Sequence, residues 1–83
     1  MTSTLRITVR FFALLREQAG CRELTLDTAA PTPAALYAEL MPAHGLSVPP
    51  AILTFAVNEC YVAADSPLAT GDRVTFIPPV AGG

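Results

Sequence analysis

From Leu5 to Phe11 the chain alternates strictly: Leu5, Ile7, Val9 and Phe11 are apolar, and Arg6, Thr8 and Arg10 between them are polar. A period of two belongs to a strand with one buried face, so the first set points into a core and the second outward. In the stretch that follows, Phe11, Leu14, Leu15 and Ala19 are spaced like one side of a helix, and Gly20 suits the left-handed residue that ends one. A short helical turn is therefore predicted before a second strand over Arg22–Asp27, with Leu24 and Leu26 inward. Thr32 can cap a helix that Pro33 opens, and Leu36 and Leu40 share a face of it. Pro42 has no amide to give, so this helix kinks or tightens there and ends near His44–Gly45. Ser47–Pro50 reads as a loop, and Ile52–Val57, apolar and rich in β-formers, as a well-covered strand. Asn58–Glu59 is a tight turn, since asparagine tolerates positive φ, and Cys60–Val62 returns as a short strand. After turn chemistry at Asp65–Leu68 and Thr70–Asp72 comes a last strand, Arg73–Ile77, with Val74 and Phe76 inward. One main helix across one face of a mixed sheet makes an α+β domain over residues 1–77, leaving 78–83 as an extended tail.

Composition narrows the picture. The chain has 83 residues, 52% of them hydrophobic and 14% charged, with a net charge of −2. That is one domain, too apolar for disorder, with apolar surface to spare for partners. Five arginines and no lysine stand against seven acids, so no basic face of the kind that binds nucleic acid is expected. There is no run of 18 apolar residues to span a membrane, and Met1–Leu5 lacks the pattern of a signal peptide; a cytoplasmic protein is the expectation. Cys21 and Cys60 have no CxxC or histidine partner spacing and read as small apolar fillers, unpaired in a reducing compartment. His44 has no ligand or nucleophile companion and reads as a surface residue at a helix end; no metal site is expected. Glu17, Glu23, Asp27 and Glu39 read as solvated surface charges.

The last residues are Ile77-Pro78-Pro79-Val80-Ala81-Gly82-Gly83. Two prolines favour an extended backbone directly after a core strand. Two glycines without side chains let another protein close round the chain and reach the Gly83 carboxylate unhindered. No glycine-rich phosphate loop is present, so ATP, if used, is bound by another protein.

These features together are specific. Val57-Asn58, Pro67-Leu68, Gly71-Asp72 and the run Val74–Gly83, with Phe11–Glu17 near the start, resemble the MoaD/ThiS family of small sulfur carriers. The resemblance spans nearly the whole chain and is faintest from Thr28 to Ala51. Pro-Pro before the glycines points to the molybdopterin synthase branch over the thiamine branch. The resemblance implies a ubiquitin-like β-grasp fold, with first and last strands parallel at the centre. It also implies a reaction. An adenylating enzyme of the ubiquitin-activating type joins Gly83 to AMP using ATP, and sulfur from a sulfurtransferase then replaces the adenylate. The resulting thiocarboxylate, inserted with Gly82 into the large synthase subunit, attacks a cyclic pyranopterin monophosphate to build a dithiolene. Such a carrier needs no bound cofactor, and a two-plus-two assembly with the large subunit is implied. The alternatives are a carrier for thiamine or cysteine synthesis, and a β-grasp interaction module whose Gly-Gly end is incidental.

Given parallel central strands, side-chain parity locates a docking patch. Phe12 continues past the first strand on its outward side, and Ile77 is outward on the last. Phe12 and Ile77, with Tyr61, are expected as an exposed apolar patch at the base of a tail whose Pro78, Pro79, Val80 and Ala81 also meet the partner. The competing reading tucks Phe12 into the core through the helical turn. Arg16 stands where the family often carries arginine, and is a partner contact or an ordinary surface residue.

Overall fold

The computed structural model describes residues 4–79. Val80, Ala81, Gly82 and Gly83, on which the proposed chemistry falls, lie outside the described residues.

The elements follow the expected order: β1 (Leu5–Phe11), α1 (Leu14–Ala19), β2 (Glu23–Thr28), α2 (Pro33–His44), a 3-10 turn (Pro50–Ile52), β3 (Thr54–Val57), β4 (Cys60–Val62) and β5 (Arg73–Ile77). The sheet order is β2-β1-β5-β3-β4. β1 and β5 run parallel at the centre, with Val9 opposite Val74 and Phe11 opposite Phe76, and the other neighbours are antiparallel. This is the ubiquitin-like β-grasp arrangement.

The alternation of β1 decides the core. Ile7, Val9 and Phe11 are fully buried together with Val74 and Phe76, and α2 lies across this face. Its contribution is larger than Leu36 and Leu40 alone. Tyr37 is fully buried, its ring edge-on to Phe76 at 4.9 Å, and its hydroxyl donates to the Val48 carbonyl at 2.7 Å. Burial pushes the Tyr37 phenol above its ordinary 10.0, against the opposing effect of that hydrogen bond. α2 begins as its sequence dictates. The Thr32 hydroxyl accepts from the Ala35 amide, Pro33 is the first helical residue, and the helix runs through Pro42 to a left-handed Gly45. Nearby, Thr28 donates to the Glu39 carboxylate and accepts from the Ala30 amide, which gives Glu39 a structural partner besides water.

Four expectations are corrected. Ile52 does not begin a strand. Pro49 and Pro50 set up a 3-10 turn in which Ile52 and Leu53 donate to the Pro49 and Pro50 carbonyls, so β3 starts at Thr54. Leu14 is not on the buried side of α1, which buries Leu15. Cys21 packs against the core as a filler, but Cys60 stands exposed on the edge strand β4. His44 is half-buried, its ring 6.1 Å from that of Phe11.

Two backbone features sit beside the site. Asn58 and Glu59 both have positive φ (52° and 70°), the type I′ geometry that joins β3 to β4. The Asn58 side chain bridges to β5, accepting from the Arg73 amide and donating to Asp72. Ala13 has φ 50° and ψ −124°, and the Leu15 amide donates to the Phe12 carbonyl. That is the first central position of a type II′ turn, which favours glycine.

Candidate functional site

Strand register builds the open face row by row. Arg10 stands opposite Thr75, Thr75 opposite Ala56, and Ala56 opposite Tyr61, so these four side chains form one line across β1, β5, β3 and β4. The next row toward the tail holds Phe12 and Ile77. Thr75 and Ala56 are small and buried, and form the floor of a depression of about 210 Å³. Phe12, Tyr61 and Ile77 line it, with Arg10 and Glu59 at its edges. Phe12 is 43% exposed and Tyr61 78%, while Ile77 is half-buried. Phe12 therefore does not enter the core: the Ala13 turn carries it outward, and the Arg10 guanidinium lies 5.8 Å from its ring centroid. Two large exposed apolar side chains around a small-residue floor suit insertion of a partner's apolar groups.

The chain leaves β5 at Ile77 and passes through Pro78 and Pro79. These prolines line a second groove, of about 580 Å³, with Ala13, Leu14, Val48, Pro49 and Ile52. Leu14 is 47% exposed and Ile52 53%. Helical spacing groups Leu14 with Leu15, and apolarity puts Ile52 in a covered strand, so the sequence does not show this groove; the one signal for it is Pro49-Pro50, just ahead of the expected strand. Arg16 is exposed and lines a third depression with Arg10 and Arg22.

Thus Phe12, Tyr61 and Ile77 come together, Pro78 and Pro79 adjoin them at the tail's base, and Arg16 stands to the side. Among the described residues no three His, Cys, Asp or Glu side chains converge as a metal site, and no helix is long and apolar enough to cross a membrane. The chemistry this surface offers is recognition, beside the end of β5.

A ubiquitin-like β-grasp domain presenting an apolar face beside its C-terminal strand is the class of protein defined so far. Comparison with known proteins narrows it. The ThiS family model matches residues 9–83, and the chain belongs to the ThiS family. It is 38% identical over 80 residues to the molybdopterin synthase sulfur carrier subunit of Escherichia coli (strain K12), covering 93% of this chain and 99% of that one. Its fold is similar to that in the complex of subunits 1 and 2 of the molybdopterin-converting factor of Helicobacter pylori 26695, with TM-score 0.67, 28% identity and coverage of 95% and 100%. It is also similar to SAMP1 of Haloferax volcanii, with TM-score 0.74, 25% identity and coverage of 94% and 99%.

Proposed function

We propose that this protein is the sulfur carrier of a molybdopterin synthase, working through the carboxyl group of Gly83 while the Phe12–Tyr61–Ile77 face holds the partner. The observation that carries the reading is the apolar face at the root of the Pro-Pro tail, in a chain 38% identical to a carrier of that kind.

The chemistry follows from what a carboxylate lacks. It is a poor electrophile until it bears a good leaving group. A carboxylate oxygen of Gly83 attacks the α-phosphorus of ATP on an adenylating enzyme, releasing pyrophosphate and leaving an acyl adenylate. The terminal sulfur of a sulfurtransferase persulfide adds to the carbonyl and expels AMP, and a thiol reductant then cleaves the resulting acyl disulfide to leave a thiocarboxylate. In the large synthase subunit that sulfur attacks a cyclic pyranopterin monophosphate, and water then cleaves the acyl–sulfur bond, leaving sulfur on the pterin and returning Gly83 as a carboxylate. The carrier supplies reach and address. The proline pair restricts φ at Pro78 and Pro79, glycines at 82 and 83 carry no side chain to obstruct a narrow cleft, and the apolar face fixes the domain so that the carboxyl group is presented at high effective concentration. The large subunit is the proposed stable partner, in keeping with the two-subunit Helicobacter complex.

The test is reconstitution with the large subunit and the pyranopterin substrate. The thiocarboxylated carrier should give dithiolene product, and a chain lacking Gly83 should give none. Binding to the large subunit separates this reading from a carrier serving thiamine or cysteine synthesis.

A further inference from the structure

Three of the five arginines of a net-negative chain line one depression: Arg10, Arg16 and Arg22, around Phe12. The end of β1 and the bend just before β2 bring two of them together. Arg10 pairs with Glu23 in the β1–β2 register, and the Phe11 amide donates to the Arg22 carbonyl, so Arg22 flanks the end of β1. Positive charge there is incompletely answered. The Arg10 Nε is buried with no hydrogen-bond partner among the described residues, and the Glu23 carboxylate stands 3.9 Å from it. By contrast Arg6, on the same strand, meets Asp27 at 3.1 Å and 3.3 Å. The cleft is also continuous with the apolar face, since Arg10 and Phe12 line both depressions.

We infer that this arginine cleft is the electrostatic half of the docking surface and receives an acidic segment, rich in Asp or Glu, of the protein that seats the Phe12–Tyr61–Ile77 face. The inference rests on the proposed function for the identity of that protein. Charge complementarity at a rim beside an apolar anchor raises association rate and fixes orientation. The planar guanidinium fork suits carboxylates bidentately. Because the cleft lies to one side of the patch, it breaks the symmetry of an otherwise rotationally tolerant apolar contact.

The experiment measures association of the full-length protein with its organism's large synthase subunit by stopped flow across a salt series. Arg22 is exposed and only its backbone is engaged in the sheet, so R22Q and R22E should fold, as far-UV circular dichroism verifies. R22E should slow association on the order of tenfold at low salt, R22Q by less, and both should flatten the salt dependence. A38E, on the exposed side of α2, changes net charge as much as R22Q does and should leave the rate near wild type. If R22Q and R22E both track A38E while the wild type binds, the cleft has no such role and the carrier reading stands. If the wild type itself fails to bind the large subunit, the inference falls together with the reading beneath it.

Discussion

The two faces of the sheet are made by the same strands and differ in nearly everything else. Under α2 the alternate positions Ile7, Val9, Phe11, Val74 and Phe76 are fully buried, with Phe55 and Tyr37 edge-on to Phe76. On the open face the residues between them are Arg6, Thr8, Arg10 and Thr75, and apolar bulk gathers only toward the tail, at Phe12, Tyr61 and Ile77. One residue's shift along β5, from Phe76 to Ile77, therefore crosses from the core to the proposed docking face. A chain this small has little surplus core, so placing the core and the proposed docking face on opposite parities would let the latter vary without loosening the fold.

Substitutions at neighbouring positions separate the tasks, and the largest effect should come from the covered face. Phe76→Ala removes a ring packed against Phe11, Tyr37 and Phe55 and should cost about 3–5 kcal/mol, read as a collapse of the urea midpoint. Next door, Ile77→Asp should weaken binding to the large subunit on the order of a hundredfold, about 2.7 kcal/mol, with the urea midpoint nearly unmoved. Wild-type affinity in that variant would break the division between faces.

Smaller effects sharpen it. Tyr37→Phe strands the Val48 carbonyl and should cost about 1 kcal/mol at neutral pH. Because the folded phenol titrates above 10.0, the unfolded chain loses its proton first as pH rises, so stability that Tyr37 contributes below pH 10.0 is lost above it. The variant should show a shallower alkaline decline in thermal melts. Smallest, Ala13→Gly should stabilise by about 0.5–1 kcal/mol, since strain at φ 50° outweighs the added freedom of the unfolded glycine. Its effect on partner affinity should be slight, because glycine adopts the same turn that carries Phe12 outward.

The same contrast explains what was legible in the sequence. β1 and β5 could be read because period-two alternation is a direct record of one buried face, and the exposure of Phe12 followed from parity once the two strands were taken as parallel. Tyr37 was overlooked because α2 carries apolar residues nearly all round, leaving no single stripe to choose. Helical spacing groups Leu14 with Leu15, and β-rich apolarity puts Ile52 in a covered strand, yet a helical turn beginning at Leu14 and a proline-set 3-10 turn leave both at the surface. The arginine cleft depends on which residue at the entry to β2 stands beside the end of β1, a register that no local pattern records.

The central claim is that the Gly83 carboxyl group is loaded with sulfur. The most direct measurement is the intact mass of the protein after incubation with its adenylating enzyme, ATP and a sulfur donor, with the chain lacking Gly83 alongside. One terminal oxygen should be exchanged for sulfur in the full chain, and the shortened chain should stay unchanged. A full chain of unaltered mass, under conditions where the same enzyme loads another carrier, would contradict it.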